Sequence, residues 1–166
     1  MDRRELIAAA WSAVPFYLTA MTSAQIKPAA GSFTGTSEER ESLKQTGDRI
    51  RAAFAKGDLD GILAFHHPEV IKALAYNRYL VGIDALRQDL HDTLKAFALE
   101  FTENTVESTL FHTGTAVESS LFAIQGTPKT AGTPFLFKGR SMVVYVQYSA
   151  SPTGWASIRE IVQPAT

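Results

Sequence analysis

Glu118 is the acidic residue of this sequence best placed for acid–base chemistry. It lies in a run of alternating residues in which Ala116, Ser120, Phe122 and Ile124 share its side. A carboxyl group among apolar side chains has a raised pKa and can exchange a proton near neutral pH. If this side faces inward, Glu118 is a candidate catalytic acid or base; if it faces outward or a dimer seam, the carboxylate is solvated or paired.

Arg140 is a basic residue whose side chain could likewise face inward or outward. It shares one side of a predicted strand with Leu136 and Met142. A buried arginine there needs an acidic partner, and Glu118 is a cross-strand candidate. The pattern favours a structural ion pair, with a ligand contact as the alternative.

Three tyrosines and one histidine are candidates for presenting polar groups to a ligand. Tyr76, Tyr79 and Tyr145 carry hydroxyl groups, although aromatic residues in a sheet more often pack in a core or an interface. His67 ends a predicted helix beside Pro68 and is placed at the rim of a pocket. For an enzyme, Glu118 is predicted to act with Tyr76 or His67.

Other reactive sites have little support in the sequence. There is no cysteine, and adjacent His66 and His67 cannot easily face one metal ion. No serine nucleophile motif or glycine-rich phosphate loop occurs. We expect no metal and no cofactor.

The composition is that of one globular domain. The 166 residues are 45% hydrophobic and 20% charged, with a formal net charge of −1. No basic block is present, so nucleic-acid binding is not expected.

The first residues resemble an export signal. Charged residues through Glu5 precede an uncharged run from Leu6 to Ile26, and Thr22-Ser23-Ala24 places small side chains where a signal peptidase cuts. We predict a signal at 1–24, a linker at 25–36 and a domain at 37–166. Arg3-Arg4 resembles a twin-arginine signal, with a general secretory signal or an anchor as alternatives. We therefore expect a periplasmic or secreted protein with no stable membrane span after cleavage.

The elements that must position these side chains are helices first and long strands afterwards. A helix capped by Ser37 ends at Gly57, Asp58 caps a short second helix, and Asp84 caps a third. Alternating residues predict these strands: 70–76, 79–81, 100–111, 115–125, 135–148 and 155–162. This order predicts an α+β domain with three N-terminal helices packed on a curved antiparallel sheet.

Several short motifs resemble the nuclear transport factor two-like superfamily, which has a cone-shaped, cystatin-like fold, and within it the SnoaL-like and ketosteroid-isomerase-like branch. They occur in this order: Ala55-Lys56-Gly57-Asp58-Leu59-Asp60, His67-Pro68-Glu69-Val70, Gly82-Ile83-Asp84-Ala85-Leu86-Arg87, Thr115-Ala116-Val117 and Gly154-Trp155. The resemblance implies a pocket for a small, mostly apolar molecule and a homodimer formed through the outer sheet face. We expect Phe54, Tyr79, Arg140, Tyr145 and Trp155 to contact the ligand, with Trp155 also plugging one end of the cone.

The acid–base residues of the isomerase relatives are missing at the matching positions. No tyrosine occurs between Ser37 and Lys56, and 71–75 contains no carboxylate. We therefore favour an exported protein that binds an apolar or amphipathic molecule without catalysis. The alternative is a cofactor-free SnoaL-like enzyme, an isomerase, cyclase or dehydratase, that uses Glu118 in the same pocket.

Overall fold

Three helices and six strands are present in residues 33–165, the part of the chain that the structure, a computed structural model, describes. The predicted export signal and the linker up to residue 32 lie outside the described residues. In chain order the elements are α1 (Ser37–Lys56), α2 (Leu59–Leu63), β1 (His66–Ala75), β2 (Arg78–Val81), α3 (Gly82–Ala96), β3 (Phe97–His112), β4 (Thr115–Pro128), β5 (Phe135–Gln147) and β6 (Trp155–Pro164).

The six strands form one sheet in the order β2-β1-β6-β5-β4-β3. The α+β class and the helices-first order are confirmed. The expectation of a wholly antiparallel sheet is wrong at one pairing, because β1 and β6 run parallel. Helix α3 carries the chain from the β2 edge to the far edge, and the antiparallel run from β3 to β6 then returns to β1.

The ends of α1 and α2 follow from local chemistry. Thr36, rather than Ser37, caps α1: its hydroxyl accepts from the Glu39 amide at 3.1 Å, and the Glu39 carboxylate accepts from the Thr36 amide at 2.7 Å. Gly57 ends α1 at φ 66°, a conformation that costs glycine little. Asp58 then caps α2 through the Gly61 amide, as predicted.

Helix α3 begins without a side-chain cap. Its cap residue is Val81, so the predicted Asp84 cap is wrong; Asp84 lies inside the first turn, where its charge favours the helix N-terminus. Leu86, Leu90 and Leu94 recur at helical spacing and are buried, as the pattern predicted.

Two irregularities in β3 shape the sheet. The pairing of β3 with β4 shifts between Phe101 and Glu103 and again between Val106 and Ser108. Bulges of this kind bend a strand and increase its twist. The two strands join through Thr113 and Gly114, both at positive φ, as in a tight two-residue hairpin turn.

Two buried clusters hold the helices on the sheet. One contains Ile62, Leu63, Val70, Leu86 and Leu90. The second cluster packs around Trp155 and includes Leu43, Phe111, Ala116, Val143 and Tyr145. Within residues 33–165, no helix has the length and apolar character needed to cross a membrane.

Candidate ligand-binding cavity

A cavity of about 450 Å³ lies between the inner face of the sheet and helices α1 and α3. Its walls are mostly apolar and include Phe54, Leu86, Leu90, Phe101, Phe122 and Ile124. Leu136 and Phe137 line the cavity and are also exposed, so this end of β5 forms part of its mouth. The volume lies within the range of small-molecule sites.

The polar groups of the cavity lie in neighbouring rows across the sheet. In one row Glu118, Val143, Glu160 and Lys72 are successive partners from β4 to β1. In the adjacent row Tyr145, Ser157 and His66 are successive partners from β5 to β1. Paired residues share a face, and all seven side chains line the cavity.

Glu118 faces into this cavity and is partly buried. Burial raises the pKa of its carboxyl group, while the Arg51 guanidinium and the Thr109 hydroxyl act in the opposite direction. The Thr109 hydroxyl donates to Glu118 Oε2 over a long 3.5 Å. No histidine or tyrosine of the described chain hydrogen-bonds to this carboxylate.

His66, and not His67, is the histidine that lines the cavity. His66 Nδ1 is 2.9 Å from the Ile62 carbonyl oxygen, which can only accept, so Nδ1 carries the proton. Burial lowers the His66 pKa well below its ordinary value, and the nearby Lys72 ammonium lowers it further. His66 is therefore neutral at pH 7.

The prediction that His67 reaches the pocket is corrected by the structure. His67 Nδ1 accepts a hydrogen bond from the Glu69 amide at 3.1 Å, and its ring lies edge-on to Tyr148 with centroids 4.8 Å apart. Successive residues of a strand point to opposite faces, so only one of the two histidines can face the cavity.

Lys72 and Glu160 form a largely buried ion pair in the cavity. Their side chains are 13% and 17% exposed, so each charge depends on the other for compensation. Arg51 also lines the cavity and is held by Asp48 at 2.6 Å.

The three candidate tyrosines have different surroundings. Tyr145 is buried and lines the cavity. Tyr76 follows β1 at the turn and is fully exposed, and Tyr79 on the edge strand β2 is 62% exposed. Neither lines the cavity, although Arg78 of the same edge hairpin does.

Arg140 and Trp155 also lie outside the cavity. Arg140 is exposed and makes a two-point ion pair with Glu107 at 2.7 and 2.9 Å, which lowers the Glu107 pKa. Glu118 pairs with Val143, so Arg140, three residues away along β5, points to the opposite face of the sheet and the expected Arg140–Glu118 pair does not form. The bulge after Val106 brings Glu107 to Arg140 instead. Trp155 is 2% exposed, and its indole N–H donates to the Ser42 hydroxyl at 3.0 Å. It therefore has a place in the core rather than at the ligand.

The sequence interpretation missed four of the cavity's polar residues: Arg51, His66, Lys72 and Glu160. A signal existed for Lys72, since it is the one charged residue in the apolar run 70–75 of β1. Within residues 33–165 no group of three or more histidine or acidic side chains is placed to hold a metal ion.

Comparisons with known proteins show the fold. No protein-family model matches this sequence, and no curated protein matches it. Similar solved structures include a proposed scytalone dehydratase from Novosphingobium aromaticivorans, 13% identical, with a TM-score of 0.70 over 77% of this chain and 85% of that one. Another is a nuclear transport factor 2-like superfamily protein from Salmonella enterica, 15% identical, with a TM-score of 0.65 over 80% and 94% of the two chains.

A third similar structure is a ketosteroid isomerase-like protein from Erwinia carotovora atroseptica. It is 16% identical, with a TM-score of 0.58 over 79% of this chain and 99% of that one. At these identities the comparison concerns the arrangement of the backbone and not the chemistry. The element order, the bent sheet over three helices and these matches together show that the chain has the nuclear transport factor two-like fold.

Proposed function

We propose that this protein binds a small, mostly apolar or amphipathic molecule in the cavity between the sheet and helices α1 and α3. The observation that carries the proposal is the cavity itself, about 450 Å³ with apolar walls and a polar floor. Protein interiors are normally packed to crystal-like density, so an unfilled volume of this size is costly unless a ligand uses it.

The polar floor supports an amphipathic ligand over a purely apolar one. Glu118, His66, Tyr145 and the Lys72–Glu160 pair lie on the sheet, whereas aromatic and aliphatic side chains dominate the other walls and the mouth. A ligand with one polar end would place that end on the sheet and its apolar part against the walls.

A cofactor-free enzyme is the second candidate, and Glu118 is the observation that favours it. Its carboxyl group faces the cavity, and burial raises its pKa toward the range useful for proton transfer. Two structures with this fold are described as a proposed scytalone dehydratase and a ketosteroid isomerase-like protein, and a dehydratase or an isomerase is what this candidate would be. We rank binding first because no second acid or base within residues 33–165 hydrogen-bonds to Glu118.

We also propose export and a homodimer. Export depends on the sequence of residues 1–24. The dimer is supported by Leu110, Met142 and Ile161, which are each at least half exposed on the outer face of the sheet. Large apolar side chains exposed on one face of a sheet are typical of an interface.

Filling the cavity tests the proposal directly. Ser141 is buried on the cavity side of β5, and its neighbour Met142 points to the outer face. We expect Ser141→Phe to abolish the thermal shifts that small carbonyl and aromatic compounds give with the wild-type protein, and Met142→Phe to retain them. Equal shifts in both variants would place binding elsewhere and contradict the proposal.

A further inference from the structure

The row formed by Tyr145, Ser157 and His66 contains two polar groups that face the cavity without a complete set of partners, and the Ser157 hydroxyl between them is enclosed and also unpaired. Tyr145 is 6% exposed, lines the cavity, and its hydroxyl makes no hydrogen bond to any residue between 33 and 165. The ring is buried but the hydroxyl opens onto the cavity, since it is not among the fully enclosed polar atoms that lack a partner in residues 33–165, and a ligand group can therefore hydrogen-bond to it.

The surroundings of the Tyr145 hydroxyl keep it protonated. Burial raises the Tyr145 pKa, the carboxylates of Glu118 and Glu160 raise it further, and the Arg51 guanidinium lowers it. All three charged residues line the cavity. The hydroxyl therefore remains protonated and is available as a hydrogen-bond donor.

His66 offers the complementary group. Its Nδ1–H is used by the Ile62 carbonyl, so Nε2 on the other side of the ring has a free lone pair. No residue of the described chain donates to Nε2, and the side chain lines the cavity. Tyr145 and His66 are separated by one strand, about 10 Å between their backbones, and their side chains share one face.

We infer that the inner end of the cavity binds an uncharged hydroxyl group of the ligand, which accepts from the Tyr145 hydroxyl and donates to His66 Nε2. The inference rests on the proposed binding function and specifies its ligand class: an amphipathic alcohol or phenol. A hydroxyl group is suited to this pair because it both donates and accepts.

Charged ligand ends are disfavoured at the same place. A carboxylate would lie near Glu118 and Glu160, and the cations that could compensate it are already paired, Lys72 with Glu160 and Arg51 with Asp48. An ammonium group could not accept from Tyr145, and it would lie beside the like charge of Lys72. An ether or carbonyl group would leave Nε2 without a donor.

A matched set of naphthalene probes tests the inference. Equilibrium binding by ligand-observed NMR at pH 7 would compare 2-naphthol, 2-methoxynaphthalene, naphthalene, 2-naphthoate and 2-(aminomethyl)naphthalene. We expect 2-naphthol to bind about fivefold more tightly than the methoxy compound, the factor given by one neutral hydrogen bond. Naphthalene should also bind more weakly than 2-naphthol, and the two charged probes more than tenfold more weakly.

Tyr145→Phe identifies the donor, and Tyr148→Phe is the matched control because Tyr148 lies outside the cavity beside His67. We expect Tyr145→Phe to weaken 2-naphthol about fivefold and leave naphthalene unchanged, and Tyr148→Phe to change neither. If Tyr145→Phe fails to fold, the comparison of 2-naphthol with 2-methoxynaphthalene in the wild-type protein decides the matter.

The outcomes separate the inference from the proposed function. Equal affinity for naphthalene and 2-naphthol would overturn the hydroxyl site but leave cavity binding intact. Tightest binding of either charged probe would also overturn it. Failure of all three uncharged probes to bind would contradict the proposed function and the inference together.

Discussion

Replacing Ser157 by alanine should make the protein more stable, although most buried substitutions destabilise. Ser157 is 2% exposed, and its hydroxyl oxygen is the one buried side-chain polar atom in residues 33–165 without a hydrogen-bond partner. It lost its hydration on folding and gained no bond in return. Alanine keeps the Cβ and removes the group that carries this cost.

The size of the effect follows from the cost of an unpaired buried polar group, about 1–3 kcal/mol. Part of this gain is offset by contacts that the oxygen made with its neighbours, so we expect the free energy of unfolding to rise by about 1 kcal/mol. For a domain of this size, that corresponds to a rise in Tm of about 3–4 °C.

Ser151→Ala is the matched control, because Ser151 is also buried but its hydroxyl donates to the Trp155 carbonyl oxygen at 2.5 Å. Its removal leaves that carbonyl without the side-chain donor, and we expect a loss of about 1 kcal/mol. Urea unfolding, followed by tryptophan fluorescence, would measure both variants. If Ser157→Ala is destabilised as much as Ser151→Ala, the Ser157 hydroxyl has a partner and the reasoning is wrong.

Three further predictions concern charge and assembly. Glu118→Gln should be more stable than the wild type at pH 8, because burial raises the pKa of this carboxyl and so disfavours its charged form. The gain in the free energy of unfolding should shrink as the pH falls toward 4.5. A gain that is independent of pH in urea unfolding would contradict burial as its cause. Burial holds the pKa of His66 below the unfolded value of 6.5, so protonation favours the unfolded state. Lowering the pH from 7.5 to 5.5 should therefore destabilise the wild type and His67→Gln more than His66→Gln, by at most about 1.4 kcal/mol, measured by urea unfolding. Ile161→Lys should convert the proposed dimer to a monomer, measured by light scattering. Val81 is about as exposed, and Val81→Lys should leave the dimer intact. A monomeric wild type would refute the dimer.

The helices and the strand faces could be predicted because they depend on local patterns. Gly57 and Asp58 specify the boundary of α1 and α2 wherever the rest of the chain lies. The alternation around Glu118 placed it correctly on the face that also carries Ser120 and Phe122, since strand residues alternate regardless of their partners.

The composition of the site could not be predicted because it depends on register. Glu160 and Lys72 are 88 residues apart in the chain and meet only because β6 pairs in parallel with β1. Arg140 was assigned the wrong partner because the register of β4 with β5 pairs Glu118 with Val143 and so places Arg140 on the opposite face. One extra residue in β3, at a bulge, moves Glu107 into reach of Arg140 instead. No local pattern reports a bulge in a strand that is not yet paired.

The parallel pairing of β1 with β6 also determines when the domain can finish folding. Strand β1 pairs only with β2 and β6. Its edge on the β6 side therefore stays unpaired during synthesis until Trp155–Pro164 has been made. Contacts of such long sequence separation form late and slow the overall rate. A nascent chain that ends before Trp155 therefore exposes an unpaired β1 edge and the apolar lining of the cavity, which makes this interval the one in which aggregation or chaperone capture competes with folding.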